Sequence, residues 1–120
     1  MWRVTYETKV VAEHWTEGQL EDDEIAHEHT WDVAITFQAR GLDGYYQAVD
    51  RVEVGAFLRG IRWDWGWGKK TLNLVFDENP TPEFLAQQVY WRALEAGLLP
   101  VLVRVSDGDG IMAEYTEVYV

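Results

Sequence analysis

The stretch HEHTWDVAITFQAR, residues 27–40, sorts its side chains into two files. Odd positions carry His27, His29, Trp31, Val33, Ile35, Phe37 and Ala39; even positions carry Glu28, Thr30, Asp32, Ala34, Thr36, Gln38 and Arg40. A period of two with one apolar file is the pattern of a strand that buries one face. Residues 2–14, WRVTYETKVVAEH, repeat it: Trp2, Val4, Tyr6, Thr8, Val10, Ala12 and His14 alternate with Arg3, Thr5, Glu7, Lys9, Val11 and Glu13. Paired as an antiparallel hairpin, the end of the first strand lies beside the start of the second. His14, His27 and His29, all the histidines of the chain, then meet at one end of the apolar face under the 12-residue loop 15–26.

Beyond the hairpin, GLDG at 41–44 reads as a turn and YYQAVD as a short extended piece. From Val52 the period changes. Val54, Phe57, Leu58 and Ile61 fall at i, i+3, i+4 and i+7, which predicts an amphipathic helix with Asp50 as N-cap. Residues 63–80, WDWGWGKKTLNLVFDENP, show no helical stripe and read as a long connection. Loops beyond about 12–15 residues in a compact domain are usually functional or disordered, and this one is too aromatic for disorder. TPEFLAQQVYWRALEAG, 81–97, predicts a second helix with Thr81 as N-cap, Pro82 at N1, Leu85, Val89 and Ala93 on its buried stripe, and Gly97 as the stop. VLVRVSDG and IMAEYTEVYV close the chain as two strands around a DGDG turn. The expected fold is α+β in the order β-β-α-α-β-β, one domain over residues 1–120, with no repeat.

Composition narrows the function. Ten Lys and Arg against 21 Asp and Glu leave a net charge of −11, which argues against nucleic acid and against an anionic membrane surface as partners. With no cysteine, thiol chemistry and disulfides are excluded. MWRVTYETKV alternates rather than forming a basic-then-apolar leader, and no apolar run approaches the roughly 20 residues of a membrane span. The expected location is the cytoplasm.

Three imidazoles with an open fourth position form a catalytic zinc arrangement. Two other readings of the same residues stand beside it: a chance H-x-H whose histidines make ordinary hydrogen bonds, or a small α+β domain with three incidental histidines.

The pattern of one histidine ending strand 1 and H-x-H opening strand 2 resembles the 6-pyruvoyl-tetrahydropterin synthase family, which includes the 6-carboxy-tetrahydropterin synthases of queuosine biosynthesis. AEHW resembles the first zinc-ligand segment and HEHTWDV the H-G-H strand, with Glu28 in the glycine's place. YYQAVDRVEVGAFLRGI resembles the entry into helix 1, with Asp50 matching an aspartate of the family. TLNLVFDENPTPEFLAQQVY resembles the L-N…N-P-T-x-E-x-x-A stretch through Leu72, Asn73, Asn79, Pro80, Thr81, Glu83 and Ala86. VRVSDGDGIMAEY resembles the closing hairpin. The resemblance implies the tunnelling fold (T-fold), an antiparallel sheet with two helices on one face. It also implies a homohexamer built as a dimer of trimers, with sites between subunits. It implies a zinc-dependent carbon–oxygen lyase acting on a reduced pterin such as 7,8-dihydroneopterin triphosphate, with His14, His27 and His29 as the metal ligands.

The chain departs from the family at the groups that move protons. The catalytic cysteine, four residues before H-x-H, is replaced by Asp23; the aspartate–histidine pair is replaced by Gly68 and Lys69. Some relatives carry a glutamate for the cysteine and cleave the pterin side chain, which makes Asp23 or Glu24 the candidate base. The same two residues also fit a solvated acidic loop, since EGQLEDDE holds five carboxylates in eight residues. Lys69 reads as acid, base, phosphate contact or exposed cation. Asp107 matches the glutamate that anchors the pterin ring, a task a carboxylate performs by accepting from two adjacent N–H donors; Asp109 competes for it, and both also suit a turn. Trp63, Trp65 and Trp67 fit either stacking on a heterocycle or packing at a subunit interface. Asp64 matches no part of the pattern. Two further functions stay open: a metal- and pterin- or purine-binding relative without turnover, and side-chain cleavage by a carboxylate base.

Overall fold

The structure, a computed structural model, describes residues 1–17, 25–66 and 71–118. Strand β1 spans Trp2–His14 and β2 spans His27–Ala39, paired antiparallel residue for residue from Trp2 opposite Ala39 to His14 opposite His27. Helices α1 (Arg51–Gly66), α2 (Leu72–Val75) and α3 (Pro82–Glu95) follow, then strands β3 (Leu102–Ser106) and β4 (Met112–Tyr115). The four strands form one antiparallel sheet in the order β1-β2-β3-β4. The α+β class holds, and the first two strands match the expected bounds to within a residue; the closing strand, expected over IMAEYTEVYV, is shorter, Met112–Tyr115.

One face of the sheet carries the core. Val10 and Ala12 of β1, Trp31, Val33, Ile35 and Phe37 of β2, and Val103 and Val105 of β3 are buried against Val54, Phe57, Leu58 and Ile61 of α1 and Leu85, Ala86, Val89 and Ala93 of α3. The opposite face is polar: Thr5 and Thr36 share a hydrogen bond of 2.8 Å, and Lys9–Asp32 and Arg104–Glu7 form ion pairs at 2.6 and 2.8 Å. Such exposed pairs contribute little to stability but keep this face wet.

The caps act as the sequence implies. Asp50 accepts from the Val52 N–H at 2.9 Å, and the Thr81 hydroxyl accepts from the Phe84 N–H at 3.2 Å with Pro82 at the first helical position. Gly97, at φ +83, ends α3: its N–H donates to the Leu94 carbonyl and the Leu98 N–H to that of Ala93, a Schellman closure.

The segment expected to be one long connection is partly helical. The stripe Val54-Phe57-Leu58-Ile61 continues at i+4 to Trp65, which is fully buried and packs edge-on against Phe76. Helix α1 therefore runs through Trp63 and Trp65 to Gly66, and α2 adds a turn after it. Two residues along a helix turn about 200°, so Trp63, 55% exposed, points away from Trp65. These two indoles do not form one stacking surface; Trp67 lies outside the described residues. Asp64 pairs with Arg92 of α3 at 2.6 Å and ties the two helices together.

Candidate metal centre

The hairpin register sets the site. His14 stands directly opposite His27, and His29, two residues on along the same face, stands opposite Ala12. The ring centroids are 4.6 Å (His14–His27), 5.0 Å (His14–His29) and 4.7 Å (His27–His29) apart, with one ligating atom from each ring within 4.8 Å of the others. Trp31 packs against the cluster, its ring 4.8 Å from His14 and 5.3 Å from His29, its own orientation fixed by donation from Nε1 to the Ala12 carbonyl at 3.1 Å.

Tautomers follow from the partners. His14 Nδ1 lies 2.9 Å from the Pro80 carbonyl and His27 Nδ1 2.7 Å from that of Ile25. A carbonyl only accepts, so each Nδ1 carries a proton, which leaves Nε2 as the nitrogen that would meet a metal. A backbone carbonyl holding the remote ring nitrogen is the common support of a metal-ligating histidine. His14 is buried, and desolvation pushes its pKa below the ordinary histidine range; the Pro80 carbonyl opposes that shift, His27 and His29 add to it, and Asp107 opposes it. The neutral form, the one that binds a metal, is favoured. Three neutral imidazoles suit zinc, whose Zn–N bonds of about 2.0–2.1 Å set donors about 3.4 Å apart in a tetrahedron.

The histidines open into a cleft of about 740 Å³, walled also by Thr16, Glu28, Asn79, Thr81, Pro82, Glu83, Asp107, Asp109 and Ile111. The volume lies in the range of small-molecule sites. Asp107 is buried at the cleft wall. Its Oδ1 accepts from the Asp109 N–H at 2.8 Å and the Ile111 N–H at 3.1 Å, so one oxygen holds the turn, as a turn carboxylate would. Gly108 brings this turn against β2; a Cβ there would sit 2.6 Å from the Thr30 carbonyl. Asp109 also lines the cleft but is exposed. Asp23, Glu24 and Lys69 lie outside the described residues.

Sequence reasoning passed over two asparagines. Asn73 of α2 accepts from the Trp15 N–H and donates to the Trp15 carbonyl, both at 2.9 Å, and Asn79 accepts from the Glu17 N–H at 3.1 Å. They anchor the start of the segment that leaves His14. The signal was the position of each amide in a motif quoted above, without a partner to assign it to.

Similarity is structural. No protein-family model matches the chain, and no curated protein matches it by sequence. The Caenorhabditis elegans 6-pyruvoyl tetrahydropterin synthase superposes with a TM-score of 0.76 at 13% identity, covering 98% of each chain. The Plasmodium vivax enzyme superposes at 0.70 and 9% identity, over 95% of this chain and 96% of that one. A variant of the P. vivax enzyme with its catalytic glutamate replaced by cysteine gives 0.62 at 9%, over the same shares. The chain has the 6-pyruvoyl tetrahydropterin synthase fold. In this T-fold the two strand pairs enclose the helices in the chain order, as expected from the sequence, with α2 as an extra turn.

Proposed function

We propose that the chain is a zinc-dependent, lyase-type enzyme acting on a reduced pterin of the dihydroneopterin class. The observation that carries this reading is the meeting of His14, His27 and His29 at the floor of the cleft, with two of the three Nδ1 atoms held by backbone carbonyls. A divalent metal held there would supply Lewis acidity to side-chain oxygens of the ligand and so acidify the neighbouring C–H.

The chain's own groups have separate tasks. Asp107 has its Oδ1 in the turn; its other oxygen is proposed to accept from the amide–amine edge of the pterin. Aspartate reaches one methylene less far than glutamate, so the ring sits deeper or contacts it through water. Asp23 or Glu24 is proposed as the base that takes the side-chain proton. The catalytic glutamate of the similar P. vivax enzyme supports a carboxylate in this role. Lys69 is proposed as the acid.

The proposed assembly is a homohexamer, a dimer of trimers, located in the cytoplasm. Its support is the sheet's two edges, β1 and β4; among the described residues β1's outer edge carries only the isolated Glu13–Thr71 bridge. Open edges of this length are ordinarily paired or covered. No helix among the described residues is long and apolar enough to cross a membrane.

The test is metal analysis of the purified chain, followed by incubation of the zinc-loaded protein with 7,8-dihydroneopterin and its triphosphate. Chromatography follows loss of triphosphate or of side-chain carbons. Zinc below about a tenth of an equivalent per chain rejects the metal centre. Zinc without change in either pterin leaves a binding protein. Turnover of Asp23→Ala at the wild-type rate removes Asp23 as the base.

A further inference from the structure

The cleft's charge is lopsided. Glu28, Glu83, Asp107 and Asp109 place four carboxylates on its wall. Of the ten Lys and Arg in the chain, Lys69 and Lys70 lie outside the described residues, and none of the other eight lines the cleft. Three of those eight are already engaged elsewhere, Lys9 with Asp32, Arg92 with Asp64 and Arg104 with Glu7. A divalent ion on the three imidazoles brings two positive charges against the four carboxylates, and the Lys69 acid and the Asp23 or Glu24 base proposed above offset each other. The chain as a whole stands at −11. A concave wall focuses its field, so an approaching polyanion meets repulsion from the whole surface and again from the cleft.

We infer that the site takes an unphosphorylated ligand: an uncharged or cationic heterocycle with a hydroxylated side chain, rather than a phosphate ester. The inference rests on the pterin reading above and narrows it. Carboxylates that repel phosphate are suited to accept from what such a ligand offers, ring N–H groups and side-chain hydroxyls. Asn79 and Thr81, also on the wall, add neutral hydrogen-bonding groups that recognise hydroxyls without needing charge. Glu28, which lines the cleft, stands in the sequence between His27 and His29, where the family resemblance has glycine.

Titration calorimetry of the zinc-loaded chain with 7,8-dihydroneopterin and, separately, its 3′-triphosphate reads the discrimination. The expected Kd for the unphosphorylated compound is lower by about tenfold or more, with the gap shrinking as salt is raised. In a Glu28→Gln/Glu83→Gln double variant, checked for zinc content and folding, the triphosphate binds several-fold more tightly and the ratio falls. Equal or tighter binding of the triphosphate to the parent chain overturns the inference and leaves the pterin reading standing. A ratio unmoved in a folded, zinc-holding double variant also overturns it. Failure of both pterins to bind a chain that holds zinc overturns the pterin reading and this inference with it.

Discussion

His14 and His27 face each other across the β1–β2 ladder with ring centroids 4.6 Å apart, the shortest approach among the three imidazoles. The pair exists because both strands keep strict alternation up to the last residue, leaving two polar rings on a face that is otherwise core. Alanine at His14, His27 or His29 is expected to lower zinc affinity by at least about 10–100-fold, since loss of even a supporting group costs that much. Competition with a chromogenic chelator measures it, and near-parental affinity in any of the three removes that residue from the ligand set.

Burial gives His14 a pH signature. Its pKa lies below the ordinary value of 6.5, so between the two values the unfolded chain binds the extra proton and the folded chain does not. Stability of the metal-stripped chain therefore rises with pH through that window and falls as pH drops from 6.5 toward the folded value. Two-dimensional NMR of the imidazoles is expected to show His14 titrating below 6.5; a midpoint at or above it contradicts the burial described.

Asp107 combines a turn role with a proposed ligand role, and two substitutions separate them. Asn keeps an acceptor oxygen for the Asp109 and Ile111 N–H groups, so Asp107→Asn is expected to melt within a few degrees of the parent. Asp107→Ala strands those donors and costs about 1–3 kcal/mol. If the carboxylate anchors the pterin, Asp107→Asn still weakens ligand binding about tenfold or more, because a charge-assisted acceptor becomes a neutral one beside a donor. A variant with parental melting and parental binding confines Asp107 to the turn.

Gly108 sits at φ +72 with space for no side chain against Thr30. Gly108→Ala is expected to cost about 1–3 kcal/mol and to shift Asp107 in the cleft wall. Thermal unfolding with a ligand titration checks both, and an unchanged melting temperature shows that the turn can yield.

The hairpin and the meeting of its histidines were legible because a period of two, once recognised, dictates both face and register. Caps at Asp50 and Thr81 were legible for a similar reason, being local chemistry. The end of α1 was not. Indoles at every second position in WDWGWG imitate a strand or loop and hide the i+4 step from Ile61 to Trp65, which packs beside Phe76. Gly66, next to it, approaches β1 so closely that a Cβ would lie 2.7 Å from Val10 Cγ1, a packing demand no local pattern reveals. Asn73 and Asn79 were visible as letters of a motif, but their tethering of Trp15 and Glu17 spans about sixty residues of chain. The division of Asp107's two oxygens is likewise a matter of geometry.

All three imidazoles come from a single ribbon, residues 14–29, while the helical layer touches them through the Pro80 carbonyl on His14. An ion seated there would act as a clasp where the two strands are joined, shutting a short chain loop rather than bolting distant layers together. Metal-driven order should accordingly begin in the first quarter of the polypeptide, with the helices settling onto a hairpin already fastened.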